Sequence, residues 1–256
     1  MEINPNLRIS TLTLISKISS NINLLEFYNN VNITDDIKFI EYGINPTKGE
    51  SSKKKKKGKR FFYNQITLHV YLDKLVNVKL FNNGRIQMTG LKNKKQGIDI
   101  IHIILLELKK LPVANLSNIL DNSDPEIVDS YIVLINSDFD LKFKIKREKL
   151  QRIIIDKGYY SSYEPIIYPG VNIKYYFNKE KQQNGICNCE NLCNGKGKNG
   201  VCKKVTVAVF NSGKIIITGG QSYEQLNTAY QFINDLIKEN KEELMVKENR
   251  EELMVK

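Results

Sequence analysis

The sequence predicts an α+β fold built from two copies of one unit, each running strand, helix, several antiparallel strands, helix. Three observations carry that expectation: an internal repeat, tight turns between alternating segments, and a helical stripe that closes each half. Val78, Phe81, Asn82, Gly84, Ile86, Thr89 and Gly90 recur in the same spacing as Val207, Phe210, Asn211, Gly213, Ile215, Thr218 and Gly219, and Arg85 returns as Lys214. Each copy reads as strand, Asn-x-Gly turn, strand. A repeat of this kind is informative because one copy cannot bury its apolar face alone.

The elements follow in order. Leu7 to Ile15 is an alternating strand, and Asn21 to Asn30 the helix after it. The segment 48–60 carries five consecutive lysines and reads as an inserted surface loop. Phe61 to Tyr71 is the next strand, matched later by Ile166 to Tyr176. Ile98, Ile101, Leu105 and Leu108 recur at helical spacing and close the first half. Residues 112–125, rich in Asn, Ser, Asp and Pro, read as a linker. Tyr131 to Leu141 and Arg147 to Lys157 repeat the opening strand and helix. Tyr223, Leu226, Tyr230, Ile233 and Ile237 form the second closing stripe. The expected organisation is a first repeat over 1–111, the linker, a second repeat over 126–240, and a charged helical tail over 241–256.

The second copy carries an insertion at about 179–202, and it holds all four cysteines: Cys187, Cys189, Cys193 and Cys202. Four thiolates this close in sequence are able to ligate zinc tetrahedrally. The C-x-C start differs from the usual C-x2-C knuckle, so free thiols and a redox pair stay open beside a structural zinc. No other cofactor is expected.

Lys and Arg number 39 against 28 Asp and Glu, a net charge of +11, which favours a polyanionic partner. No apolar run reaches the length of a membrane span. The polar start, Glu2 to Asn6, lacks the order of a signal peptide. An intracellular location is expected. The many Asn, Lys and Ile residues fit an AT-rich genome, as of a large DNA virus or a parasite. A viral source would put the protein in the nucleus, a viral factory or the virion. Two histidines, no phosphate loop and no nucleophile elbow argue against an enzyme.

One stretch is specific. Ser161, Ser162, Tyr163, Glu164 and Pro165 run into Tyr168, Pro169 and Gly170, followed by the Phe210 to Gly219 segment. Within the duplicated pattern, this resembles the TATA-box-binding proteins over about residues 5–240. The resemblance implies a saddle: a curved antiparallel sheet with helices on its convex face and duplex DNA on the other. The family is the standing example of minor-groove wedging, so that mode of binding comes from the resemblance and not from composition. Carried over by position, the wedges are Tyr63 and Phe81 in the first half, with Phe61 and Phe62 beside them, and Tyr168 and Phe210 in the second. Ile9, Thr11, Thr89, Val133, Ile167, Ile216 and Thr218 would line the groove. Arg85, Lys174, Lys204 and Lys214 would meet phosphates.

The chain departs from the family at several positions. Leu7 and Tyr131 stand where the first strands carry asparagine, and His69 where arginine is usual. Glu164, the partner-binding position, lacks its acidic companion, replaced by Ile166. The implied function is a general transcription initiation factor that binds and bends A·T-rich promoter DNA, with factor-IIB-like proteins and RNA polymerase as partners. The competing reading is a protein-interaction scaffold that kept the fold and lost sequence-specific binding. If the lysine run clamps phosphates, neutralising it flattens the salt dependence of DNA binding by about 0.9 in log–log slope per lost contact. A salt titration with the five lysines changed to glutamine measures this, against the alternative of a solvated loop with an unchanged slope.

Overall fold

The computed structural model describes residues 2–50, 62–180, 183–190, 192–196 and 200–246. They divide into two compact units, Thr11–Val133 and a second made of Met1–Ser10 with Leu134–Lys256. All strand pairs named below are antiparallel.

The first unit contains β1 (Arg8–Ile18, entering from the other unit), α1 (Leu24–Asn30), β2 (Ile37–Tyr42) and β3 (Lys48–Gly49). After these come β4 (Gln65–Tyr71), β5 (Leu75–Phe81), β6 (Arg85–Leu91), α2 (Lys94–Lys109) and α3 (Val113–Ile119). Its strands lie in the order β3-β2-β4-β5-β6-β1. Alternation runs through β5 and the start of β6: Val76, Val78 and Leu80 are buried, as are Ile86 and Met88. They face the buried Ile100, Ile101, Ile104 and Leu108 of α2, which packs on β6. The other face carries Asn77, Lys79, Phe81, Arg85, Gln87 and Thr89.

The second unit contains most of β7 (Ile127–Asp140), then α4 (Arg147–Asp156), β8 (Tyr160–Glu164) and β9 (Tyr168–Phe177). It continues with β10 (Lys203–Val209), β11 (Lys214–Gly220), α5 (Tyr223–Glu239) and α6 (Lys241–Leu244). The order is β7-β11-β10-β9-β8. Helix α5 packs over β9, β10 and β11, burying Leu226, Ala229, Ile233, Leu236 and Ile237 on Val205, Val207, Ile215 and Ile217.

The duplication extends to individual hydrogen bonds. Gly84 and Gly213 sit in left-handed backbone at φ 76° and 85°. The Gly84 carbonyl accepts from Ile18 N–H (3.0 Å), and the Gly213 carbonyl from Leu141 N–H (3.1 Å). Two residues earlier, the Asn82 carbonyl accepts from Ile22 N–H (2.8 Å) and the Asn211 carbonyl from Ile145 N–H (2.9 Å). The closing helices begin alike. Asn93 accepts from Gln96 N–H (2.9 Å) and Ser222 from Gln225 N–H (3.3 Å). In return the Gln96 and Gln225 side chains accept from Lys92 and Gln221 N–H. Each is a reciprocal cap one residue longer than the usual box.

Three expectations change. The segment 112–125, expected as a linker, holds α3, whose Leu116 and Ile119 are buried, because α3 packs on α1 and α2. The first ten residues, expected in the first repeat, go with the second unit; Asn4 N–H donates to Asn227 Oδ1 (2.9 Å) and Asn227 Nδ2 to the Glu2 carbonyl (2.7 Å). The C-terminal segment does not simply lengthen the last helix. Asn240 separates α5 from α6, Leu244 is buried, and Met245 bridges to Ile145. Residues 247–256 and most of the lysine insertion, 51–60, lie outside the described residues, as does Phe61.

A Cβ on Gly84 would come within 2.2 Å of the Ser20 carbonyl, and one on Gly213 within 2.1 Å of the Phe143 carbonyl. Gly213→Ala is therefore expected to cost about 1–3 kcal/mol, read as a lowered urea midpoint with unchanged slope. The same change at Gly158, where φ is 82° but nothing lies within 4 Å, isolates the backbone part of that cost.

Candidate nucleic-acid interface

In the second unit, the register places the open face side chain by side chain. Thr206 pairs with Thr218 and Lys174, and Ala208 with Ile216 and Asn172, whereas Val209 and Val171 pair on the buried face. Phe210 follows Val209, and Tyr168 lies two residues before Gly170, so both rings reach the same end of the β9–β10 pair. Their centroids are 5.6 Å apart at 61°, an edge-on arrangement. Gly170 makes the room: a Cβ there would be 2.8 Å from the Tyr168 ring and 3.2 Å from the Phe210 ring. Tyr168 stays 36 % exposed although it is packed.

Next to the rings the face is polar and basic. Lys214 is exposed at the start of β11, followed on the same face by half-buried Ile216 and Thr218. Thr218 Oγ1 donates to Asn136 Oδ1. Lys174 donates to Thr206 Oγ1 at 3.2 Å. Burial, and then the Lys204 charge, lower the Lys174 ammonium below its ordinary value. A phosphate arriving there would favour its charged form.

In the first unit, Phe81 pairs with Gln65, so Tyr63, two residues earlier, occupies the register position of Tyr168. The two aromatics do not meet in the same way. Tyr63 is 56 % exposed and stands edge-on to Tyr42 at 6.2 Å, with Tyr42 Oη donating to its carbonyl. Phe62 is exposed beside it. Phe81 lines a hollow with Ile15, Asn64, Arg85 and Gln87. Thr89 and Thr13 are paired in register and joined through their hydroxyls at 3.4 Å. His69 stacks on Phe39 at 4.7 Å.

Several expected positions fall elsewhere. Leu7 precedes β1 and is only 5 % exposed, so it does not present itself on the strand face; by register the counterpart of Tyr131 is Arg8. Val133 is half-buried and one residue out of phase with Asn136, Asp138 and Asp140, which share the open face. Ile167 belongs to the turn between β8 and β9 and is 82 % exposed, not part of the strand floor. Ile166, beside it, is fully exposed, and Glu164 at the end of β8 is exposed.

Sequence reasoning missed the couple Arg8–Asp138. The Asp138 carboxylate sits on the open face of β7, opposite Ile216. Arg8 Nε donates to one of its oxygens at 3.0 Å and Nη2 to the other at 2.9 Å. The two residues are 130 apart in sequence, so no spacing rule points to them. Asn136 and Thr13, the register-equivalent polar partners of Thr218 and Thr89, were missed for the same reason. At the far end of the β9–β10 hairpin, the sulfurs of Cys187, Cys189, Cys193 and Cys202 all lie within 4.8 Å of one another.

Residues 130–240 match the family model described as "Transcription factor TFIID (or TATA-binding protein, TBP)". A TATA-box-binding protein-like protein of Acanthamoeba polyphaga mimivirus is 29 % identical over 94 % of this chain and 67 % of its own length. A TATA-box-binding protein of Methanococcus maripaludis is 26 % identical over 66 % and 72 %. The solved Methanococcus jannaschii TBP aligns with TM-score 0.56 and 24 % identity, covering 92 % of this chain and 99 % of that one; at that identity it establishes the fold. No helix among the described residues is long and apolar enough to cross a membrane.

The side chain of Asp138 is 12 % exposed, so removing its partner strands a charge in a poorly hydrated place. Arg8→Ala is expected to lower stability by about 1–3 kcal/mol. Adding Asp138→Asn should recover part of that loss, and a double-mutant cycle by chemical denaturation measures the coupling.

Proposed function

Because the chain is a divergent TATA-binding-protein-like protein, we propose that it is a transcription initiation factor that binds A·T-rich duplex DNA in the minor groove and bends it. The ring pair Tyr168–Phe210 carries the proposal: two aromatics in edge contact at one end of an open strand face, with exposed Lys214 at hand for phosphate. A ring entering an opened base step replaces some of the stacking that the bases lose. Unstacking costs a few kcal/mol per step, so flexible pyrimidine–purine steps are the favoured targets.

In each unit the strand face beside the wedges supports an A·T preference. Ile216 and Thr218 in one unit and Thr89 in the other are small or apolar, and a minor groove lined by A·T pairs presents acceptors without the guanine amino group. Asn136 and the threonine hydroxyls supply the polar contacts in place of the asparagines expected at the first strands. Arg85, Lys174, Lys204 and Lys214 would serve the backbone. The first half contributes Phe81 and Tyr63, but Tyr63 must leave Tyr42 to pair with a base, so the second half is the stronger wedge. The turn bearing Glu164, Ile166 and Ile167 offers an exposed edge for a factor-IIB-like protein, which would read the bent complex and bring RNA polymerase.

Replacing Tyr168 and Phe210 together by alanine is expected to weaken binding to an A·T-rich duplex about tenfold or more, since base–aromatic stacking is worth about 1–3 kcal/mol per base. Replacing Tyr63 alone should cost less. Gel shifts on A·T-rich and G·C-rich duplexes, with a circular-permutation bending assay, read both effects. Equal affinity for the two duplexes, or a double variant with undiminished affinity and curvature, overturns the proposal in favour of a protein-interaction scaffold.

A further inference from the structure

The β9–β10 connection is much longer than a hairpin needs, and its sulfurs converge. Cys202 is fully buried at the foot of β10, whereas Cys187, Cys189 and Cys193 are half-buried along the connection. Two separations are informative: Cys189 to Cys202 is 3.5 Å and Cys202 to Cys187 is 3.8 Å. A disulfide requires about 2.05 Å. Four thiolates at about 2.3 Å from one zinc ion stand about 3.8 Å apart along the edges of a tetrahedron.

The surrounding backbone is shaped for the sulfurs. Gly195 N–H donates to Cys193 Sγ at 3.4 Å. Gly200, at φ 87°, lies so close that a Cβ would be 2.8 Å from the Cys193 sulfur and 2.9 Å from that of Cys189. Lys196 bridges to Lys203, and Lys204 N–H donates to the Gly195 carbonyl at 2.8 Å, tying the loop to β10. The set is all sulfur, which selects zinc or iron over magnesium, calcium or manganese.

We propose that Cys187, Cys189, Cys193 and Cys202 bind one structural Zn2+ ion that closes the β9–β10 hairpin at the end away from Tyr168 and Phe210. Among the described residues of this loop no apolar side chain is buried between Phe177 and Cys202, and ligation takes the place of such a core and orders the loop. It is independent of the DNA reading, since the rings and the metal occupy opposite ends of β9.

The test is metal analysis of the full chain purified without chelator. About one zinc per chain is expected, falling to background in Cys187→Ser with Cys189→Ser. Gly200→Ala should weaken zinc about tenfold, as loss of an outer-shell support does. Because the cysteine variant is able to fail by unfolding, a cobalt titration of the chelated wild-type protein gives a second reading: the intense visible bands of tetrahedral cobalt thiolate, bleached by added zinc. Substoichiometric zinc, iron in its place, zinc undiminished in the double variant, or the pale spectrum of octahedral cobalt each overturns the site.

Discussion

The seat of the two Asn-x-Gly turns governs what the exposed face presents. At Gly84 and Gly213 the backbone approaches a carbonyl so closely that no side chain fits, and the flanking carbonyls accept from the chain that follows the first strand. That seat fixes the ends of β5 and β6, and of β10 and β11. It therefore fixes Phe81 beside Arg85 and Phe210 beside Lys214. The same residues that make the hairpin turn thus place an aromatic ring and a cation on one rim, and period-two alternation does the rest.

The open face of the second unit is not uniformly basic. Asp138 lies on it, held by Arg8 in a two-pronged pair, and Asp140 lies near Lys142 and Lys214. A backbone N–H from Lys142 holds the Asp140 carboxyl below its ordinary range. Each acid is met by a local cation, Asp138 by Arg8 and Asp140 by Lys142. Lys174 and Lys203 are lowered from their ordinary values too, by burial and then by the Lys204 charge. Charge at this surface is arranged in specific couples; the net +11 of the whole chain does not describe it.

The two halves share their plan and differ in detail. Gly170 lets Tyr168 and Phe210 touch, whereas Tyr63 is engaged with Tyr42 in a run of rings that continues to Tyr28. Lys48 caps that run by lying over Tyr28 and donating to the Val31 carbonyl. The second half also carries the four-cysteine cluster and the match to the family model.

The sequence by itself determined the duplicated strand–helix–strands–helix plan, because turn glycines, alternation and helical stripes are local signals. It also marked Phe81, Phe210, Tyr168, Thr218 and the four cysteines, whose spacing repeats or clusters along the chain. Tertiary structure alone decided what depends on distant partners. It paired Arg8 with Asp138, and it placed the first ten residues with the second unit. It buried Leu7 and moved Val133 out of phase with the open face. It folded Val113–Ile119, within the expected linker, into a helix packed on α1 and α2. In each case the deciding interaction joins residues far apart in the chain or depends on a one-residue register, and neither leaves a pattern that local periodicity records.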